Sequence, residues 1–534
     1  MCSPQVSRNG GSCIGARRGR TPVRPVAAAS NLGYKGTVSL EKPNIVLIIT
    51  DHHAFYDHSR EGEFTVPMES FEALGRDGVW FERAYSVCPI CTPARSSMMT
   101  GVYPSAHGLR WNTDGGPMVR KRDFPSGQVL YSHLLSQAGY RNAYVGKWHC
   151  GHEKLPVDYG IEGWSLPDYG KVYMSEAYQS YAAERGLGMA RALIEHNVDH
   201  PGWEGETLTL HDPSPWTFMN SSGVLVGPPE AHEEQFVAHL AVEKLRELTR
   251  SEQPFSLVVS FWGPHQPYFP TEPYASLYRP ADIPEYPSFR DDLAGRPARH
   301  FIHRECHHPL VKRWRSWRIW QQVLARCYSQ IAQTDAAIGR VVDALEELGA
   351  AENTLVLCCA DHGDSVGCHG GLWDKASTYT EEVGRVPMAL RWPARIAGGN
   401  RVRRPVSNMD VTATLLEAAG ARVPAWMHSR SLLTLADDPA TTDYPHAVVC
   451  EHNGHGEDLL MRIVLDGRYK YVAALFDGDE LYDLEADPHE MRNLADDPAH
   501  RAVKEPLRES LIRHMEETRD ATGGKLLAAL KAGL

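Results

Sequence analysis

Four short apolar runs in the sequence each stop at a polar cluster. NIVLIIT (44–50) leads into Asp51-His52-His53, and NAYVG (142–146) into Lys147-Trp148-His149. SLVVSFWG (256–263) leads into Pro264-His265, and NTLVLCCA (353–360) into Asp361-His362-Gly363. Continuous β-branched and aliphatic runs of this length predict strands buried on both faces of a parallel sheet. Between them, residues 68–79, 129–140, 233–250 and 327–350 repeat apolar positions at three and four, several closing on glycine, which predicts helices. The predicted fold class is therefore α/β, a doubly wound, mostly parallel sheet sandwiched by helices. In such sheets ligands bind outside the carboxyl ends of the strands. Four polar clusters at four strand ends predict one shared site.

The pattern changes near SLLTLADDPATTDYP (431–445). Beyond it RIVLDGRYKYVAA (462–474) reads as two strands turning at Asp466-Gly467, a strong hairpin signal. The expected organisation is a basic tail over 1–40, a catalytic α/β domain over 41–435, and an antiparallel subdomain with a closing helix over 436–534. The stretches 151–232 and 275–320 are expected to be substrate-side insertions, the first being too long for a connection in a compact domain.

Composition narrows the function classes. The first forty residues carry six basic residues and no acidic one, leaving 49 basic against 67 acidic in the remainder. That acidic body argues against a nucleic-acid partner, whose affinity rests on neutralised phosphates. No apolar stretch approaches the ~20 residues of a membrane span, so no membrane partner is expected. The tail lacks the apolar core of a secretory signal; a transit peptide or a mis-assigned start fits it better. Eleven cysteines without a disulfide-like framework point to reduced thiols and a cytoplasmic protein.

The chemistry gathers around CPICTPARSSMMTG (88–101). Cys91 reads as a packed thiol, as half of a Cys-x-x-Cys pair with Cys88, or as the precursor of something more reactive. A zinc site needs two further ligands at matching spacing, and none presents itself; Cys88 reads as a small buried residue. Asp51 and the Asp361-His362 pair offer carboxylates from two strand ends with an imidazole beside one, a reasonable set for a hard cation. A lone strand-end Asp is more often a helix cap. Joint occurrence with the Cys91 motif changes that balance.

PNIVLIITD, CTPARSSMMTG, GYRNAYVGKWHCG, GPHQP, TLVLCCADHGD, GLWDKASTYTEEVGRVPM and LYDLEADPHEMRNL, in that order between residues 43 and 497, together resemble the sulfatase family. The C-x-P-x-R signature with its Thr-Gly ending is among the more specific of short motifs. The resemblance implies an alkaline-phosphatase-like fold and a sulfuric ester hydrolase, arylsulfatase-like, acting on a sulfate monoester. It implies that a separate maturation enzyme oxidises Cys91 to formylglycine (3-oxoalanine). The hydrated aldehyde would attack sulfur, and the resulting hemiacetal sulfate would collapse by elimination, so covalent catalysis becomes two easy steps. By the same resemblance Asp51, His52, Asp361, His362 and the modified Cys91 would bind one divalent cation, Ca2+ or alternatively Mn2+ or Mg2+. Arg95 would stabilise the nucleophilic oxygen, and Lys147 and Lys375 would hold sulfate oxygens. One of those lysines, or His265, would protonate the departing alcohol, and His149 would act as the base in the collapse.

One position departs from the family pattern. After Asp51 a carboxylate or carboxamide is usual, and here it is His52, which tilts the site from calcium toward a transition ion if it ligates. Otherwise it points away and leaves the place to His53 or water. Trp314, Trp317 and Trp320 recur every three residues among basic side chains, a spacing that predicts core contacts with arginines snorkelling around them. His107 reads as a core histidine satisfied by a backbone carbonyl. Two other functions share these residues: a phosphonate monoester or phosphodiester hydrolase of the same superfamily, and a silent binding protein in which Cys91 stays a thiol. Substrate identity and oligomeric state are not legible.

Overall fold

The computed structural model describes residues 42–54, 66–113, 122–211, 217–307, 314–375, 377–455 and 459–533. The expected basic tail lies outside the described residues.

Eight strands form the main sheet: β1 (Asn44–Thr50), β2 (Val79–Phe81), β3 (Arg141–Lys147), β4 (Glu162–Leu166), β5 (Phe255–Ser260), β6 (Thr354–Ala360), β7 (Met388–Arg391) and β8 (Asn400–Val402). Their order is β8-β2-β7-β6-β1-β5-β3-β4, and β7 alone runs against the others. The four apolar runs of the sequence are thus β6, β1, β5 and β3, side by side at the centre. The pleat explains why they are apolar throughout. Ile45, Leu47 and Ile49 face one core with Met98, Leu135 and Leu415, whereas Val46 and Ile48 face a second core with Phe236, Ile338 and Val341. Adjacent Cys358 and Cys359 fall into opposite cores for the same reason, and the eight cysteines whose side chains are described are free and buried.

The helices Cys91–Thr100, Tyr131–Gln137 and Val411–Ala418 cover the first face. Glu69–Arg76, Glu233–Leu248 and the 31-residue Trp317–Glu347 cover the second. The Cys91 helix is buried at every position and ends on Gly101 at φ 72°, where an added Cβ would lie 2.7 Å from Ser429 Oγ. That crowding and the left-handed backbone both favour glycine.

The small sheet is antiparallel, β9 (Ala447–His452), β10 (Met461–Asp466), β11 (Tyr469–Ala474) and β12 (Glu480–Asp483), with the predicted hairpin pairing Asp466 to Tyr469. One face packs on the helices Arg501–Glu517 and Gly524–Ala532, the other on Tyr85 and Tyr379. Two expected boundaries move. Leu433, Leu435, Ala436 and Tyr444 belong to the main core, so the subdomain starts closer to Ala447 than to residue 436. Residues 151–232 are not wholly an insertion, because β4 joins the main sheet beside β3. Trp314 and Trp320 are buried with Trp373, as their spacing predicts.

Candidate active site

The carboxyl ends of β1, β3, β5 and β6 deliver Asp51-His52, Lys147-His149, Ser260 to His265 and Asp361-His362 to one place. Cys91 enters as the first residue of its helix, and Lys375 comes from the loop after His362. All of these side chains are buried. His52 and His149 take left-handed φ angles of 57° and 47°, as does Asp374 at 64°. Such residues cost of order 1–3 kcal/mol each and persist only where surrounding contacts over-determine them.

Arg95 ties the strand ends together. Its Nε donates to Asp361 Oδ2 at 2.7 Å, its Nη1 to Ser260 Oγ at 2.7 Å and to the Lys147 carbonyl at 3.1 Å, and its Nη2 lies 3.5 Å from Asp51 Oδ1. Lys147 Nζ donates to Asp51 Oδ2. Burial alone would raise the Asp51 pKa, but Lys147 and Arg95 outweigh it and hold the carboxyl well below the usual range. The Asp361 carbonyl is pinned in turn by Ser86 Oγ at 2.5 Å and Asn408 Nδ2 at 2.8 Å.

Asp51, Cys91, Asp361 and His362 bring one ligand atom each within 4.8 Å of one another. Asp51 Oδ1 is buried and accepts no hydrogen bond. His362 Nδ1 faces the Gly363 carbonyl at 2.8 Å, so that nitrogen carries a proton, and Nε2 lies 3.1 Å from Cys91 Sγ. Two carboxylates, one of them with an oxygen that accepts no hydrogen bond, an imidazole and residue 91 fit a divalent cation.

His52 stands apart from that group. Its Nδ1 meets Asp364 Oδ2 at 3.1 Å, and its Nε2 lies 2.5 Å from Lys375 Nζ and 3.2 Å from Asp374 Oδ1. Its ring stacks on His265 at 3.9 Å, and with Cys91 and His265 it forms a second set of candidate ligands. Burial and Lys375 push the His52 pKa down and Asp364 and Asp374 push it up; with the Lys375 ammonium at 2.5 Å, Nε2 is the acceptor of that contact. His53 turns back to Thr50 Oγ1 at 3.2 Å, and burial lowers it to about 4. Burial and neighbouring His52 hold His265 well below its ordinary value, and its Nδ1 faces the Gln266 carbonyl at 2.6 Å.

Burial would push the Cys91 thiol up, and Asp51 acts in the same direction. Lys375, His362 and Lys147 outweigh both and hold it well below the ordinary cysteine value. The pocket therefore favours an anion at residue 91. Cys88, three residues earlier, is pushed well above by burial.

Sequence reasoning did not single out Asp364, Asp374, Ser260 or Tyr169. The two aspartates stood inside quoted motifs, in DHGD and LWDK. Tyr169 had no local signal, yet its ring collects Lys147 Nζ at 4.0 Å, His265 at 5.1 Å and His149 at 6.0 Å. His107 is a core residue whose Nδ1 accepts from the Leu109 N–H at 3.1 Å and whose Nε2 lies 3.1 Å from Ser97 Oγ, with the Pro93 carbonyl as a further partner, as the sequence predicts.

A family model described as Sulfatase matches residues 43–421, and a second, described as N-sulphoglucosamine sulphohydrolase, C-terminal, matches residues 367–517. Similar proteins include a choline-sulfatase of Rhizobium meliloti, 28% identical over 86% of this chain and 83% of its own. An arylsulfatase of Clostridium perfringens is 27% identical over 91% of this chain and 97% of its own. Among solved structures, a phosphonate monoester hydrolase of Agrobacterium radiobacter superposes with a TM-score of 0.70 at 23% identity, covering 89% of this chain and 96% of that one.

Proposed function

The chain belongs to the sulfatase family, a family of sulfuric ester hydrolases, and from that premise we propose that it hydrolyses an organic sulfate monoester at residue 91. The observation that carries this reading is the buried, anion-favouring position of Cys91 at the start of its helix, inside a four-donor cation cluster.

When present, a divalent cation on Asp51, Asp361, His362 and residue 91 would supply positive charge to the nucleophile and to a sulfate oxygen, and formylglycine at 91 would supply a hydroxyl nucleophile. The chain's own residues do the rest. Lys147 and Lys375 bind the remaining sulfate oxygens and offset the negative charge that develops as the S–O bond breaks. Burial lowers the Lys375 pKa, but Asp374 and the Cys91 anion raise it above the ordinary lysine range. Its ammonium therefore stays charged through substrate binding, and a departing alkoxide is basic enough to take a proton from Nζ. His265 is neutral with its Nδ1 proton on the Gln266 carbonyl, so Nε2 is an acceptor. His149, beside Tyr169, is the second candidate acceptor, for the proton released when the product sulfate leaves. Arg95 holds both carboxylates in register rather than touching substrate.

The fold shared with a phosphonate monoester hydrolase supports a second reading with the same residues. A sulfate monoester and a phosphonate monoester each carry one negative charge on a tetrahedral centre, so the cationic groups serve both. The complete set of converging groups disfavours the silent binding protein.

The test is co-expression with a formylglycine-generating enzyme, followed by the mass of the peptide holding residue 91 and rates on an aryl sulfate and a phenylphosphonate ester. Conversion lowers the mass by ~18 Da. Faster turnover of the sulfate supports the first reading and faster turnover of the phosphonate the second; an unmodified, inactive protein overturns both.

A further inference from the structure

Between Asp364 and Lys375 the chain doubles back through an unusual backbone. Val366, Gly367, His369, Gly370, Gly371 and Asp374 all have positive φ, at 24°, 89°, 46°, 76°, 87° and 64°. Three of the six are not glycine, so something outside the loop must hold it.

His369 is the loop's anchor. Its buried ring places Nδ1 3.2 Å from Asp291 Oδ2 and Nε2 3.2 Å from Glu382 Oε2. Glu382 also grips the start of the loop, since its carbonyl accepts the Asp364 N–H at 3.0 Å. The small sheet and the turn after it close the arrangement from outside. Lys470 Nζ donates to the Tyr379 carbonyl at 2.9 Å and lies 2.5 Å from Glu490 Oε1, while Glu490 Oε2 accepts the Glu381 N–H at 2.7 Å. Arg296 donates from Nε to Asp291 Oδ2 at 2.8 Å, from Nη1 to Tyr482 Oη at 3.0 Å, and from Nη2 to the Glu490 carbonyl, and its Nη2 lies 2.8 Å from His369 Nδ1.

His369, Glu382 and Glu490 place ligand atoms within 4.8 Å of one another, which by distance alone admits a metal ion. The cluster is already neutralised: Lys470 sits on Glu490, Arg296 on Asp291, and the imidazole bridges Asp291 to Glu382. A divalent cation there would be held beside two fixed positive charges. The arrangement is a clamp.

We propose that His369 is a positioning residue for Lys375: bridged between Asp291 and Glu382 and backed by Lys470 and Glu490, it holds the loop that aims the Lys375 ammonium at a bound sulfate. This rests on the sulfate reading of the pocket. Burial and Arg296 lower the His369 pKa, but Glu382 and Asp291 prevail and bring it to about 9.

The test uses the full chain and inorganic sulfate as probe, so it requires no turnover. Calorimetric sulfate affinity is measured for the wild type, His369→Gln, Lys375→Ala and the double variant, with hydrogen exchange followed over residues 365–375. His107→Gln, a buried histidine on the other face, controls for general destabilisation. His369→Gln is expected to weaken sulfate about 10- to 100-fold, the range for residues that orient a binding group. In the Lys375→Ala background the same change is expected to add little. Exchange should accelerate across 365–375 in His369→Gln and stay at the wild-type rate there in His107→Gln. Additive losses of affinity, or wild-type exchange across the loop in His369→Gln, overturn the proposal. A wild type that binds no sulfate overturns the sulfate reading, and the exchange data then decide whether His369 holds the loop.

Discussion

Two buried charge clusters lie at either end of the Asp364–Lys375 loop, and they are built on opposite terms. Around Asp291, His369, Glu382, Lys470 and Glu490 each carboxylate meets a cationic partner. Around Cys91 the partners are also present, but Asp51 Oδ1 is left without a hydrogen bond, His362 Nε2 points at residue 91, and an anion is favoured where a thiol stands. The first cluster has completed its chemistry and spends it on holding backbone. The second is poised for groups it must still receive. Each cluster holds a buried carboxylate oxygen without a hydrogen bond, Asp51 Oδ1 and Glu490 Oε1, but Glu490 Oε1 has the Lys470 ammonium at 2.5 Å whereas the nearest cation to Asp51 Oδ1, Arg95 Nη2, stands 3.5 Å away.

The comparison breaks most visibly at Cys91. Cys91→Ala should abolish turnover, by at least about a thousandfold in kcat, as loss of a nucleophile does, while Cys88→Ala retains measurable turnover in the same aryl sulfate assay. Next in size, Asp51→Asn leaves Lys147 buried without its charge partner. We expect a loss of ~3–5 kcal/mol in denaturant unfolding, together with loss of bound divalent metal by elemental analysis. Chelation of the wild type should also lower stability, by about 2.7 kcal/mol where metal had been present at a hundredfold over its Kd. Glu382→Gln should leave metal stoichiometry unchanged, and a drop would make the clamp a metal site after all.

The pH response separates the clusters further. His369 is raised in the folded protein to about 9 from its ordinary value of 6.5. Its contribution is therefore fully present below pH 6.5 and is lost as pH rises through 9. At most about 3–4 kcal/mol is at stake, from 1.36 kcal/mol per pKa unit. Unfolding midpoints between pH 6 and 10 should show an alkaline decline that flattens in His369→Gln. A decline unaltered in the variant would remove the imidazolium from the account.

The sequence by itself determined the sheet centre and the contents of the site. Apolar runs such as NIVLIIT can be buried only on both faces, and a polar residue directly after such a run is placed at the strand's carboxyl end by the chain itself. Asp51, Lys147 and Asp361 were legible for that reason, as was Cys91 by its motif. Where those side chains point was decided only in three dimensions. His52 follows Asp51 in the chain, but its ring is turned by Asp364, Asp374 and Lys375, which lie more than 300 residues away. Tyr169 reaches the lysine and histidines because β4 pairs with β3, a partnership that no local pattern announces. The His369 clamp joins Asp291, Glu382 and, behind them, Lys470 and Glu490, each from a different segment. Burial pattern and local motif are properties of neighbours along the chain. Ion pairing in a low-dielectric interior depends on which distant groups are brought within about 4 Å, and only the folded chain sets those distances.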